Sequence, residues 1–344
     1  MVVALGLSGG ALLFAGPLDP PAGPVSETHK TLTEVEPRIA ISAATTPGDG
    51  DSTFKITQPG SYYLTGNVTG ASGKSGIEIA ASGVTIDLNG FALLGVSGSL
   101  SGVKAATAVQ SITIRNGTVS GWGVRGIDIA AAAVTGVRLE SITCSSNSGD
   151  GIAAFSRCVV QNCVMNQNGG YGLLVNTEAV VEDCTANGNG IDGISVGAGA
   201  VITRCVCRSN IGNGIRCASN GFSSITECVS VENGVDGIRV NLGVYVAGNS
   251  CAFNGTVTTG AGIRVTGGDC RIESNSSLSN DVGIQVDAPG NIVVKNTCSG
   301  NPNNWSVVAG NTILVVSAAT AGAVSGNSGG TAPGSADPNA NFTY

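Results

Sequence analysis

A glycine followed by an aliphatic residue recurs along most of the chain, at intervals of 21 to 26 residues. No stretch keeps a helical pattern over ten residues, and segments such as GISV, GIRC and GIRV alternate apolar and variable residues, as half-buried strands do. The marker glycines are Gly76, Gly102, Gly126, Gly151, Gly172, Gly193, Gly214, Gly237, Gly262 and Gly283. The repeat predicts an all-β solenoid of about ten coils, 21–26 residues each, whose parallel strands stack about 4.8 Å apart.

The composition suits tight turns and excludes some partners. Glycine contributes 53 of the 344 residues, and charged residues only 11%. The net charge is −7 and the 16 lysines and arginines form no basic cluster, so we expect no nucleic-acid partner. After the N-terminal segment, no apolar run reaches the roughly 18 residues that a membrane span needs, so we expect no span.

The N-terminal sequence MVVALGLSGGALLFAG is typical of the apolar core and cleavage end of a secretory signal peptide, although no basic residues precede it. Ala15 is the candidate cleavage point, and Phe342 and Tyr344 are expected to pack back on the last coils. We expect a signal peptide at 1–15, a proline-rich linker at 16–36, the solenoid with its N-terminal cap at 37–316, and a C-terminal tail or cap at 317–344. These features predict a secreted protein, extracellular or held at the cell surface.

Cysteine and asparagine follow the repeat in two columns. The cysteine column is Cys163, Cys184, Cys205 and Cys228, with Cys251 and Cys298 continuing it, and the asparagines five residues later are Asn168, Asn189, Asn210 and Asn233. We interpret the cysteines as small apolar residues stacked inside the solenoid. Disulfides among some of the 11 cysteines and a metal site are the alternatives. We expect the asparagines at turns, where asparagine tolerates the left-handed conformation.

One dinucleotide-like motif is explained by the repeat. Gly188, Gly190 and Gly193 match G-x-G-x-x-G, but a strand pattern follows them where a cofactor loop needs a helix. The glycines therefore belong to the turns of the solenoid, where the chain bends sharply.

A column of arginines is the predicted ligand site. Arg216, Arg239 and Arg264 each follow a marker glycine by two residues, so they face solvent on successive coils. Stacked like charges need an offset, and Asp236 and Asp269 are the candidate partners. The alternative is an anionic polymer along this face, because guanidinium groups bind carboxylates with two parallel hydrogen bonds.

Two further polar columns have structural interpretations. The residues before the cysteines predict an ion ladder, and those before the marker glycines are acids that cap turns. Calcium at these acids is the alternative, although they lie two coils apart; no other cofactor is expected. The two columns are Asn162, Asp183, Arg204 and Glu227, and Asp150, Tyr171, Asp192, Asn213 and Asp236.

The entry segments FKITQPGSYYLTGNVTG and GIEIAASGVTIDLNGFALLG, with the repeats that follow, resemble the right-handed parallel β-helix of the pectin-lyase-like superfamily over residues 54–316. Within that superfamily the chain resembles in particular the secreted bacterial proteins with generic β-helix repeats. Many members act on acidic polysaccharides, but this chain has no Asp-Asp pair, no Asp-Pro-His, and a single histidine, His29. The resemblance therefore implies the fold and leaves the catalytic residues unassigned.

Three functions are compatible with these features. The first is a non-catalytic secreted protein that binds extracellular or cell-surface polysaccharide, preferably acidic, through Arg216, Arg239, Arg264 and Asp236. The second is a polysaccharide lyase or hydrolase with an arginine-based site in the same column. The third is a structural or adhesive protein whose partner is a component of the cell envelope.

Overall fold

The computed structural model describes residues 36–106, 108–131, 133–317 and 339–343. The chain divides into two units, Met1–Pro37 and Arg38–Tyr344, and the described residues of the second form 36 strands and no helix. The described part of the chain accordingly offers no helix long and apolar enough to cross a membrane. The predicted signal peptide, and all of the predicted linker except Glu36, lie outside the described residues.

Twelve strands stack in parallel into one sheet, here called the front sheet. Each strand pairs with the strands one coil before and one coil after it, so that Ile194 pairs with Leu173 and with Ile215. The front-sheet strands are Ser52–Ile56, Ser75–Ile79, Val103–Ala105, Ile127–Ile129, Ile152–Ser156, Leu173–Thr177, Ile194–Val196, Ile215–Cys217, Ile238–Val240, Ala261–Val265, Val282–Val286 and Asn303–Val307.

The other 24 strands of the described residues form a second parallel sheet made of two stacks, joined by the long strands Gln110–Ser120 and Thr135–Ser145. The remaining strands of the first stack are Ile39–Ala40, Gly60–Tyr63, Val84–Asp87, Cys158–Gln161, Val180–Glu182, Val201–Thr203, Ser224–Thr226, Tyr245–Ala247, Arg271–Glu273, Ile292–Val294 and Thr312–Ile313. Those of the second are Val68–Thr69, Ala92–Leu94, Val164–Asn166, Thr185–Asn187, Val206–Arg208, Val229–Val231, Ser250–Ala252, Ser276–Leu278, Thr297–Ser299, Val315–Ser317 and Asn341–Thr343.

The solenoid therefore has about twelve coils, against about ten predicted. The additional coils are at the two ends, where Phe54 pairs with Ile77 and Trp305 pairs with Ile284. Their front-sheet strands carry Thr53-Phe54 and Asn304-Trp305 in place of glycine and an aliphatic residue. The glycine pattern ends one coil early at each end, which explains the undercount.

Trp122 fills the interior of the early coils, and the neighbouring glycines make room for it. Its side chain is fully buried and its indole N–H donates to the carbonyl of Leu93 at 3.1 Å. A Cβ on Gly76 would lie 2.8 Å from the ring, and one on Gly102 would lie 2.9 Å from its nitrogen. Glycine is required here by close packing, and neither position has a positive φ.

The predicted asparagine column is a continuous buried ladder. The Oδ1 of each asparagine accepts from the backbone N–H and the side-chain amide of the asparagine one coil earlier; Asn210, for example, accepts from Asn189 at 3.0 and 2.9 Å. The Asn ladder is Asn147, Asn168, Asn189, Asn210, Asn233, Asn254, Asn280 and Asn301.

The conformation expected of these asparagines was wrong by one residue. The left-handed residue precedes each asparagine, as Gly188 and Ser209 do with φ of 65° and 53°. The marker glycines are likewise not bends with positive φ: a Cβ on Gly193 would lie 2.7 Å from the Nδ2 of Asn210. The ladder, packed against the backbone of the next strand, is what excludes a side chain there.

The structure has all eleven cysteines as buried free thiols. Cys163, Cys184, Cys205 and Cys228 lie in one column, which asparagines continue; the backbone N–H of Cys228 donates to Asn249 Oδ1 at 2.9 Å. Cys251 and Cys298 belong to a different column, in register with Ser230 and Ser277. The sequence placed them in the first column because both columns share one period.

The predicted ion ladder lies at a corner between the two stacks. Its four members have φ between 51° and 57°, so every one of them is left-handed. Arg204 binds Asp183 through two hydrogen bonds of 2.8 and 3.0 Å and also contacts Glu182. Within the described residues no ion pair links Arg204 to Glu227, so the ladder is shorter than expected.

Candidate functional site

The arginine column lies on the outer face of the front sheet, as its spacing predicts. Arg216 pairs in register with Arg239, and Arg239 with Arg264. The residues on either side of Arg216, Ile215 and Cys217, are buried, so the alternation directs the arginine outward. The three side chains are 41%, 37% and 29% exposed in chain order, so the methylene part of each lies against the sheet.

Each of these arginines faces a carboxylate. Arg216 Nη1 lies 3.7 Å from Asp192 Oδ2, and Arg239 Nη1 lies 3.9 Å from Asp236 Oδ2. Arg264 Nε lies 2.9 Å from the Oδ2 of Asp287, a residue that follows the next front-sheet strand. The three carboxylates offset the repulsion between the stacked guanidinium groups.

Asp236 thus lies where the sequence placed a partner, but Asp269 does not. Among the described residues, Asp269 makes no ion pair with any of the three arginines. It occupies a left-handed corner before the second sheet, with φ of 57°, whereas Asp287 directly follows the front-sheet strand Val282–Val286. Sequence distance alone does not distinguish a corner from a strand end.

The two acids Asp192 and Asp236 are held by the backbone of the following coil. Asp192 Oδ1 accepts from the backbone N–H of Asn213 at 2.7 Å and from its Nδ2 at 2.8 Å. Asn213 Oδ1 in turn accepts from the N–H of Asp236, and Asp236 Oδ1 accepts from that of Ala261. These residues, with Asp150 and Tyr171, form what we call the Asp column. Its acids accept hydrogen bonds from the backbone of the next coil, whereas the sequence predicted that they cap their own turns.

The second oxygen of both acids has no hydrogen-bond partner. Asp192 Oδ2 and Asp236 Oδ2 are buried and accept no hydrogen bond, and the facing arginines are beyond hydrogen-bonding distance. The side chains are 3% and 0% exposed. Burial raises the pKa of Asp236 above its usual value, although the N–H of Ala261 and the nearby arginines lower it in part.

Two arginines of the same face, Arg125 and Arg264, are hydrogen-bonded to carboxylates. Arg125 Nε donates to Asp150 Oδ2 at 2.8 Å and its Nη1 donates to Asp128 at 3.1 Å, while Arg264 is hydrogen-bonded to Asp287. We call Arg125–Asp150 and Arg264–Asp287 closed pairs, and Asp192–Arg216 and Asp236–Arg239 open pairs. The open pairs are the only members of this set that leave a buried acceptor unused.

A cavity of about 410 Å³ lies at the corner that follows the front sheet. Phe222 forms one wall and is 91% exposed, which is unusual for so large an apolar side chain. The other lining residues are Thr177, Glu178, Ala198, Gly199, Asn220 and Gly221. Sequence reasoning missed Phe222, although its coil is two residues longer than the 21-residue coils before it.

The described residues contain no cluster of side chains suited to binding a metal ion. Nowhere among them do three His, Cys, Asp or Glu side chains gather where they could hold a metal ion. Cys158 and Cys298 are poor ligands and nucleophiles at neutral pH, because burial raises the pKa of both thiols to about 12.

Comparison with known proteins agrees with the fold. The family model described as a right handed beta helix region matches residues 56–200. None of the curated proteins compared with the chain matches it. The A-module of a mannuronan C-5 epimerase from Azotobacter vinelandii is 17% identical, with a TM-score of 0.50, over 74% of this chain and 91% of that one.

Two other solved structures have the same architecture. A periplasmic alginate epimerase is 12% identical over 79% of this chain and 78% of its own, with a TM-score of 0.51. The Dettilon tailspike protein is 14% identical over 85% of this chain and 60% of its own, with a TM-score of 0.52. At such identities the likeness establishes the fold: the chain is a right-handed parallel β-helix, as predicted.

Proposed function

We propose that the chain binds extracellular or cell-surface polysaccharide along the outer face of the front sheet, and that this binding is its activity. The observation that carries the proposal is the row of Arg–Asp pairs on successive coils, two of which are open. Guanidinium donors beside carboxylate acceptors suit a ligand rich in hydroxyl groups, because a hydroxyl both donates and accepts.

A polymer fits this arrangement better than a small molecule. Small-molecule sites bring a few polar groups together in one concave pocket. Here the polar groups are spread along the solenoid, one coil of about 4.8 Å at a time. An extended chain lying on the face would meet chemically similar groups at each step, and Phe222 at the neighbouring corner offers an exposed ring on which a sugar could pack.

The structural comparisons support the proposal through the shared fold. Two of the similar structures are epimerases of mannuronan or alginate. Their fold thus accommodates a polysaccharide, but the residues that carry this proposal are those of the present chain.

The direct test removes the arginine column. We expect Arg216→Ala, Arg239→Ala and Arg264→Ala together to weaken polysaccharide binding at least 100-fold, since the truncations of Arg216 and Arg239 each remove a donor to the ligand. Affinity electrophoresis against a panel of uronate-containing and uncharged polysaccharides measures this, with circular dichroism to confirm folding. The matched control carries Arg138→Ala, Arg204→Ala and Arg208→Ala, which remove the same charge from the second sheet and a corner.

Unchanged binding by the arginine-column variant would contradict the site assignment. An equal loss in the control variant would do so as well, because it would point to net charge as the cause. Release of an ultraviolet-absorbing unsaturated product from a uronate, with calcium supplied, would replace binding by lyase activity.

Export of the protein is part of the proposal. The apolar segment that predicts it lies outside the described residues. Mass spectrometry of the N-terminus of protein secreted by an expressing cell would test it, and we expect cleavage near Ala15. An intact N-terminus retained inside the cell would contradict export.

A further inference from the structure

We propose that the open pairs Asp192–Arg216 and Asp236–Arg239 bind hydroxyl groups of uncharged sugar residues. This rests on the proposed polysaccharide function and specifies which glycan the site takes. The sequence alone favours an acidic polymer, because it displays three arginines without their partners.

The carboxylate side of each open pair needs a hydrogen-bond donor. A buried carboxylate oxygen without a partner is costly, and native proteins seldom retain one without a reason. Asp192 Oδ2 and Asp236 Oδ2 are two such atoms on the same face. An ionised carboxylate can only accept, so the group that satisfies it must donate a hydrogen, as a sugar hydroxyl does.

The arginine side of each open pair is exposed and is not hydrogen-bonded to its aspartate. Arg216 and Arg239 lie 3.7 and 3.9 Å from their carboxylates, too far for a hydrogen bond, and both remain more than one third exposed. A hydroxyl oxygen can stand about 2.8 Å from a guanidinium nitrogen and from a carboxylate oxygen separated by such a distance. It would accept from the arginine and donate to the aspartate, with the arginine turning outward to admit it.

The local charge favours an uncharged residue over a uronate. A uronate carboxylate bound by Arg216 or Arg239 would lie next to the buried carboxylate of Asp192 or Asp236, and like charges at this range repel. The remaining arginine of the column, Arg264, is already hydrogen-bonded to Asp287. Neither open pair therefore offers a net positive charge for an acidic group to neutralise.

The spacing of the open pairs fits an extended chain. Asp192 and Asp236 are separated by two coils, roughly 10 Å at the usual strand spacing. Asn213 lies between them: its side-chain Nδ2 donates to Asp192, and its Oδ1 accepts from the backbone N–H of Asp236. A polymer along the face would thus meet two unused acceptors that lie two coils apart.

The test exchanges each unused oxygen for an amide. Asp192→Asn and Asp236→Asn keep one oxygen for the backbone N–H of the next coil, and Asn213 already shows that this column accommodates asparagine. We expect each variant to bind an uncharged glycan about 10- to 100-fold more weakly, because a hydrogen bond to a charged acceptor is lost. The probes are an uncharged β-glucan, an uncharged α-glucan and a polyuronate, each measured by calorimetry at low and high salt.

Asp150→Asn is the matched control. Asp150 holds the backbone N–H of Tyr171 as Asp192 holds that of Asn213, but its second oxygen is taken by Arg125. Its binding should stay within about twofold of wild type, because no acceptor for the ligand is removed.

The outcomes separate the two proposals. Binding of an uncharged glycan that resists salt and is lost in Asp192→Asn and Asp236→Asn supports the inference. Salt-sensitive binding of the polyuronate alone, unchanged or strengthened in both variants, overturns the inference while polysaccharide binding stands. No binding of any probe by the wild-type protein overturns the proposed function itself.

Discussion

The Asn ladder and the Asp column lie three residues apart in five successive coils, from Asn147 and Asp150 to Asn233 and Asp236, yet they differ in how their hydrogen bonds are satisfied. In the Asn ladder each side chain both donates and accepts, so Asn189 bonds to the coil before it and to the coil after it. In the Asp column a carboxylate can only accept. Asp192 bonds to the following coil through one oxygen, and its other oxygen has no partner.

This difference distinguishes side chains that stabilise the fold from side chains that can bind a ligand. A side chain that both donates and accepts can continue a row of hydrogen bonds from coil to coil along a solenoid. It then leaves no unused donor or acceptor for a ligand. An aspartate in the same repeat accepts from the following coil through one carboxylate oxygen, and its second oxygen remains available. Where an arginine hydrogen-bonds to that oxygen, as Arg125 does to Asp150, the pair is structural; where it does not, the oxygen is an acceptor for another molecule.

The largest expected effect is in the Asn ladder. Asn189→Ala removes the acceptor for Asn168 and the donors to Met165 and Asn210, which leaves buried polar groups unpaired. We expect the free energy of unfolding to fall by about 3–4 kcal/mol. Urea unfolding measures it, and the exposed Asn176→Ala should change it by less than about 0.5 kcal/mol. A loss below about 1 kcal/mol in Asn189→Ala would show that the ladder is not what holds the coils together.

A smaller effect should distinguish closed from open pairs. Asp150→Asn breaks the hydrogen bond from Arg125, so we expect it to lower the free energy of unfolding by about 1–2 kcal/mol without weakening glycan binding. Asp192→Asn breaks no hydrogen bond of its second oxygen, so we expect the reverse: stability within about 0.5 kcal/mol of wild type and weaker binding. Equal stability losses in the two variants would remove the distinction.

The smallest expected effect is the pH dependence of Asp236. Its pKa is raised mainly by burial; Arg239 and Arg264 oppose the rise, and Asp287 adds to it. The folded protein therefore takes up this proton at a higher pH than the unfolded chain, and stability gains as the pH falls from the raised pKa toward the usual value of about 3.9.

As the pH falls over that range, thermal unfolding should show the stability of wild type rising relative to that of Asp236→Asn, because the other carboxylates titrate alike in both proteins. Glycan binding should weaken over the same range, because a protonated carboxyl is a poorer acceptor. Parallel stability curves for the two proteins would mean that Asp236 does not titrate there.

The sequence predicted the features that repeat with the period of the coils. The glycine spacing predicted the coils, the alternation placed Arg216, Arg239 and Arg264 on one outer face, and the period of cysteine and asparagine predicted two internal columns. It missed the end coils, because Phe54 and Trp305 replace the aliphatic residue there. It also misplaced Cys251, since two columns of the same period cannot be told apart before the corners are known.

The partners of the arginines required the structure. Whether Asp269 or Asp287 faces Arg264 depends on which of them lies at a corner. The corners cannot be recognised in the sequence, because many residue types adopt the left-handed conformation there. The open state of Asp192 and Asp236 depends on differences of about 1 Å in side-chain position. No spacing rule resolves differences of that size.

The most direct test of the account is a crystal structure of the protein with a bound oligosaccharide that it binds in solution. The account predicts sugar hydroxyl oxygens within hydrogen-bonding distance of Asp192 Oδ2 and Asp236 Oδ2, with Arg216 and Arg239 turned toward the ligand. An oligosaccharide bound on the second sheet, with both arginines closed onto their aspartates, would contradict it.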